Sequence, residues 1–160
     1  MTANIDEFGG PTLDVTNLQT HFITKNGIAR AVDGVNFTVG KGEVMGLVGE
    51  SGSGKTVTGF SLINLVDPPG KVVGGRILFN GKDLVSASEE YMQKLRGNRI
   101  AMIFQDPMMT LNPVLRIDTQ MIETILAHNP RIPKDQALQR ARDALGQVGI
   151  PSPNERLKSY

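Results

Sequence analysis

The chain has 160 residues, with 17 Lys and Arg set against 16 Asp and Glu, a formal net charge of +1, 39% apolar residues and no Cys. This is room for one modest globular domain, and it excludes disulfides, thiolate catalysis and Cys-ligated metal. Basic residues are spread among acidic ones, so the electrostatic footprint of a nucleic-acid binder is missing.

Residues 1–11 are polar, contain Gly9-Gly10-Pro11 and read as a flexible tail. They lack the basic start and apolar centre of a secretory signal, and no apolar stretch of the chain approaches the roughly 18 residues of a membrane span. The expected setting is intracellular, with any membrane role through a docked partner. From Leu13 the apolar residues Leu13, Val15, Leu18, Phe22, Ile23 and Ile28 to Val32 alternate imperfectly with polar ones around a Lys25-Asn26-Gly27 turn, which predicts antiparallel sheet. Val35, Phe37 and Val39 predict a third strand, ending at Gly40-Lys41-Gly42. The run Val44-Met45-Gly46-Leu47-Val48 then reads as a buried strand, and Val57 to Val66 as a helix-compatible segment stopped by Pro68-Pro69-Gly70.

Further on, Gly74-Gly75 opens a strand over Arg76 to Phe79, and Asn80-Gly81 supplies a tight turn back through Lys82-Asp83-Leu84. Ser88-Glu89-Glu90-Tyr91 marks a helix start, with Ser88 or its neighbour as cap and acidic residues in the first turn, that runs to about Arg96. Lys94, Arg96 and Arg99 read as a solvated helix face and strand entry. Ile100 to Phe104 is short and apolar on both faces, so it is expected as a second strand of a buried parallel sheet. Past Pro113 the period becomes helical. Ile117, Met121, Ile122, Ile125 and Leu126 form one stripe, Ala137, Leu138, Ala141, Leu145 and Val148 another, with Pro130 to Pro133 between them and Gly149-Ile150-Pro151 as a stop.

Between the first apolar run and the first helix lies Gly49-Glu50-Ser51-Gly52-Ser53-Gly54-Lys55-Thr56, with the spacing G-x-x-x-x-G-K-[ST]. A strand that breaks into such a loop and then a helix aims backbone N–H groups and the positive helix end at one anion. Gly49, Gly52 and Gly54 let the backbone wrap the α- and β-phosphates of a nucleoside triphosphate, Lys55 reaches the β- and γ-phosphates, and the Thr56 hydroxyl is placed to enter a Mg²⁺ shell. The loop alone names a nucleotide and not a reaction.

The order of antiparallel sheet, phosphate loop, strand ending in Gln105-Asp106-Pro107 and helical segment resembles the nucleotide-binding subunit of an ABC transporter. The resemblance is carried also by Ala31-Val32-Asp33-Gly34-Val35, by Gly74 to Leu84 and by Met102-Ile103-Phe104-Gln105-Asp106-Pro107. Asp67-Pro68-Pro69-Gly70 and Phe104 to Pro113, with Leu111-Asn112-Pro113, resemble the oligopeptide, dipeptide and nickel importer branch, and the likeness spans nearly all of residues 12–160.

What the resemblance implies is an α/β P-loop NTPase (ABC ATPase) core with an antiparallel β subdomain and the start of a helical subdomain, truncated. Residues 1–11 would be the tail, 12–106 the β subdomain with a partial core, and 107–160 an incomplete helical subdomain. ATP and Mg²⁺ would be the ligands, touched by Phe22, Gly49, Glu50, Ser51, Gly52, Ser53, Gly54, Lys55, Thr56 and Val57. Lys55 and Gln105 would serve catalysis, and Thr56 and Gln105 the metal. Phe22 would stack on adenine, the alternative being a sheet-facing core aromatic. Gln105 would sense Mg²⁺ and the attacking water, the alternative being a strand-end amide bonded to local backbone. Met108 and Met109 read as packing residues, and His21 and His128 as surface or locally bonded groups.

The implied activity is ATP hydrolysis coupled to uptake of dipeptides or oligopeptides. The implied partners are membrane permease subunits, a second ATP-binding subunit and, indirectly, an extracytoplasmic solute-binding protein. The implied place is the cytoplasmic face of the inner membrane, as a peripheral subunit. The alternatives are a nickel or other solute importer of the same branch, or a non-transport ABC ATPase. A P-loop GTPase or small-molecule kinase is disfavoured because no Asn-Lys-x-Asp guanine-reading motif occurs. The family continues with a Leu-Ser-Gly-Gly-Gln type signature, a Mg²⁺-holding aspartate, a catalytic glutamate and a switch histidine, whereas this sequence stops at Tyr160. The expectation is therefore an amino-terminal fragment that binds nucleotide weakly, does not turn it over, and hides its open parallel strands by self-association or rearranged packing.

Overall fold

A computed structural model describes residues 9–104 and 111–160. The chain divides into one unit ending at Arg96 and a second over Gly97–Tyr160.

The first unit is built on four antiparallel strands, β1 (Leu13–Thr24), β2 (Gly27–Val39), β3 (Gly70–Phe79) and β4 (Lys82–Asp83), in the order β2-β1-β3-β4. β1 is therefore central, paired with β2 along Thr24↔Gly27 to Leu13↔Val39 and with β3 along Phe22↔Gly70 to Leu13↔Phe79. Its imperfect alternation has a local cause. Asn17 sits at φ 50°, and both ladders shift register next to it, so one extra residue rephases the pleat. Val15 before the irregularity and Leu18 and Thr20 after it are all buried despite their odd spacing. The two strands expected on either side of Gly34 are instead one continuous β2. The Asn80-Gly81 turn forms as expected, with φ of 45° and 78°.

Helix α1 (Lys55–Leu62) packs on β1, β2 and β3. It starts two residues before the expected segment and ends four residues sooner, because Asn64 turns to φ 52° and the Leu65 N–H bonds back to the Phe60 carbonyl. Helix α2 (Glu89–Leu95) begins at Ser88, whose hydroxyl accepts from the Tyr91 N–H as the sequence indicated. Its Met92 and Leu95 join Val15, Leu18, Val32, Ile63, Ile77, Phe79 and Leu84 in the core. Each such side chain contributes about 1.5–3 kcal/mol on burial.

Arg96 corrects the reading of a solvated basic face. Its side chain is only 19% exposed, and it donates from Nε to the Ile63 carbonyl at 2.8 Å and from Nη2 to the Asn64 carbonyl at 3.1 Å. A bidentate pair with Glu89 at 2.7 and 3.2 Å fixes the guanidinium. One cation thus satisfies carbonyls just past the end of α1 and ties them to α2.

The expected parallel strands are a second correction. Neither residues 44–48 nor residues 101–104 are paired into a sheet, and Val44, Val48 and Ile103 are 96%, 93% and 95% exposed. A run apolar on both faces becomes a strand when neighbours occupy its edges and helices cover its faces.

The second unit holds α3 (Ile117–His128), α4 (Lys134–Gln147) and α5 (Pro153–Arg156). α3 and α4 pack together, with Ile122, Ala137 and Ala141 buried, the two alanines one turn apart on α4. Gly149 at φ 74° closes α4, with its N–H on the Gly146 carbonyl and that of Ile150 on the Leu145 carbonyl. Helix α5 has too few residues to show a period. The segment after it nevertheless caps α3, since the Ile117 and Asp118 N–H groups donate to the Ser159 and Leu157 carbonyls at 2.9 and 2.8 Å. Gln120 holds the turn before α3, accepting from the Asn112 N–H and donating to the Asn112 and Leu115 carbonyls.

Arg96→Ala should lower stability by about 2 kcal/mol, because it strands two carbonyls and frees α2. The hydrogen bond and charge of Arg96 hold the Glu89 carboxyl below its ordinary value of 4.5. That contribution is fully present above pH 4.5 and is lost as the pH falls through the lower folded value. Thermal melts against pH should therefore show Glu89→Gln less stable than the parent above pH 4.5, with the difference vanishing in stronger acid.

Candidate functional site

The phosphate-loop sequence emerges from the unpaired run ending at Val48 and enters α1 at Gly54. Gly54 is the helix N-cap at φ 90°, and a Cβ there would lie 2.2 Å from the Ala31 carbonyl oxygen of β2. Only glycine meets both conditions, the left-handed backbone and the contact with the sheet. The helix opens without a side-chain cap and without an acidic residue in its first turn. Its leading N–H groups and positive dipole end are thereby left for an external anion.

Lys55 is the charged element of this bend. Its Nζ donates to the Gly49 and Glu50 carbonyls, both at 2.7 Å, and approaches the Ser53 hydroxyl at 3.4 Å. The ammonium therefore lies inside the curve of the loop, held by main-chain oxygens. The Ser53 N–H closes a turn on the Glu50 carbonyl at 3.2 Å. Ser51 and Thr56 are exposed, and Val57 is half-buried with its carbonyl accepting from the Ser61 hydroxyl. The structure thus gathers Gly49, Glu50, Ser53, Gly54 and Lys55 into one cradle.

Phe22 is half-buried on β1 opposite Gly70 of β3. A Cβ at Gly70 would meet the Phe22 ring at 2.7 Å and the Val66 side chain at 2.7 Å, so both groups close over that glycine. Gln105, Met108 and Met109 lie outside the described residues. His21 departs from the reading as a surface or locally bonded group, since its side chain is 15% exposed and its Nε2, 3.8 Å from Asp33 Oδ1, is buried without a hydrogen bond among the described residues; His128 lies beside Gly97. No group of three His, Cys, Asp or Glu side chains suited to a metal occurs among the described residues. Ala31 and Gly70 stand in motifs that carry the family resemblance, but their roles here rest on contacts across strands that the motifs do not state.

The sequence profile of a family described as ABC transporter matches residues 32–160. Among curated proteins the chain is 46% identical over 149 residues to the oligopeptide transport ATP-binding protein OppD of Bacillus subtilis, covering 92% of this chain and 41% of that protein. It is 45% identical over 148 residues to the dipeptide transport ATP-binding protein DppD of Escherichia coli, covering 92% and 45%. The chain spans less than half the length of these relatives. The dimeric structure of the cassette MJ0796 superposes with a TM-score of 0.78 at 19% identity, over 92% of this chain and 60% of that one. At that identity the likeness concerns the fold.

Gly54→Ala should push the loop off β2 and strain φ, costing about 1–3 kcal/mol. A fall in the thermal midpoint, with changed amide resonances in both Ala31 and Lys55, would register it.

Proposed function

This chain belongs to the ABC transporter family, and from that footing we propose that it is the nucleotide-binding part of a subunit that powers peptide import. The carrying observation is the uncapped opening of α1 on Gly54, with the Lys55 ammonium held inside the preceding bend. Donors and charge converge there on a space suited to a triphosphate. Peptide as the cargo rests on the printed functions of relatives at 45–46% identity.

In this reading the main chain of Gly49 to Thr56 and the first turn at Val57 bind the phosphates of ATP. Lys55 exchanges its bonds to the Gly49 and Glu50 carbonyls for phosphate oxygens. Phe22 offers its ring to the adenine, a contact any purine permits. Mg²⁺ would be held by the Thr56 hydroxyl, the nucleotide's phosphates and Gln105, and would neutralise phosphate charge. Catalysis by Lys55 and Gln105 would be positioning and charge stabilisation around an in-line water, completed by a second ATP-binding subunit. Residues 107–160 begin the helical subdomain that meets the permease subunits at the cytoplasmic face of the membrane. The solute-binding protein acts on the other side. No helix among the described residues is long and apolar enough to cross a membrane.

Titration calorimetry with Mg-ATP should show saturable binding to the 160-residue chain, weakened about tenfold or more by Lys55→Ala. Absence of any purine triphosphate binding would refute the reading.

A further inference from the structure

Helix α1 is eight residues long, too short to hold itself in water, so its placement on the sheet must come from tertiary contacts. The residues it buries are Thr58 and Ser61, both polar. Apolar contact alone gives such a face little rotational or axial register, because it is non-directional. Gly54, Thr58 and Ser61 recur at helical spacing and share one face. At the loop end of that face Gly54 abuts the Ala31 carbonyl of β2. The Thr58 hydroxyl and N–H both return to the Gly54 carbonyl, at 2.9 and 2.8 Å. About 10 Å further along the axis, Ser61 Oγ lies 2.7 Å from Thr20 Oγ1 of the central strand β1.

That second contact has a direction. Ser61 carries one hydroxyl hydrogen and gives it to the Val57 carbonyl at 2.7 Å. The hydrogen between the two hydroxyls therefore belongs to Thr20, which donates to Ser61. Thr20 is 0% and Ser61 2% exposed, so water does not replace either partner. A lost bond here is expensive, and a rotated helix cannot recover it.

We propose that Thr20 and Ser61 are positioning residues for the phosphate loop: their buried hydroxyl pair fixes how α1 is rotated and advanced on the sheet, and so where Gly54, Lys55 and Thr56 present their donors to a nucleotide. The inference rests on the nucleotide reading for its purpose and on the described geometry for its mechanism. Neither residue touches the phosphates. Each acts through the helix.

The test uses the full 160-residue chain labelled with ¹⁵N, with Thr20→Val, Thr20→Ser and Ser61→Ala, and with Ile77→Val as a core change on β3. The readings are the amide resonances of Gly52 to Thr56, the thermal midpoint and Mg-ATP affinity. Thr20→Val should displace or broaden the loop amides and weaken Mg-ATP binding about fivefold to tenfold. Thr20→Ser, which keeps the donor, should restore both. Ile77→Val should lower the midpoint while leaving the loop amides and affinity in place. Should Thr20→Val not fold, Ser61→Ala carries the same readings on a residue with better helix propensity. Loop amides in the Thr20→Val or Ser61→Ala protein that overlay the parent's would overturn the proposal, even with a lowered midpoint. A parent chain that ignores Mg-ATP would sink the nucleotide reading instead, and the amide positions would still decide whether the hydroxyl pair sets the loop.

Discussion

The contact of Gly54 with the Ala31 carbonyl is the constraint on which the site depends, because it joins the two elements that neither could place alone. A two-turn helix has no independent stability, and a loop whose upstream run is unpaired has no frame of its own. With the first residue of the bend-to-helix junction lying on β2, the sheet becomes the reference for both. The chemistry of the cradle then follows from the backbone. Its amides are aimed by the helix and its charge, the Lys55 ammonium, is confined by loop carbonyls.

The remaining supports of α1 are also polar and directional. Ser61 reaches the central strand, while Arg96 gathers the carbonyls past the helix end and is itself oriented by Glu89. Hydrophobic burial by Leu18, Ile77, Leu84 and Met92 supplies most of the cohesion of this unit, but it sets no angle. Geometry comes from the few hydrogen bonds that break when a helix slides.

Much of this was legible from the residues. The antiparallel strands, the Asn80-Gly81 turn, the Ser88 cap, the two long helices and the phosphate-loop motif all carry short-range signals, fixed by turn chemistry or by a period of two or 3.6. What the sequence concealed depends on partners distant along the chain. Arg96 looks like any basic residue at a helix end until Ile63 and Asn64 are beside it. Val44 to Val48 and Ile100 to Phe104 have strand composition, yet a parallel strand is a property of its neighbours, and composition cannot supply them. At the candidate site the motif located the cradle and Lys55, whereas Ala31, Gly70, Thr20 and Ser61 acquire meaning only across the sheet. Gln105 falls outside the described residues.

The clasp on α3 has a kinetic corollary. Two amides of that helix's first turn find their acceptors at Leu157 and Ser159, far downstream in the chain. The α3–α4 pair can meet as soon as both helices have been synthesised, since their contact is local. The leading turn of α3 must wait for the later segment, so on a ribosome the helix pair forms before that turn gains its acceptors at Leu157 and Ser159.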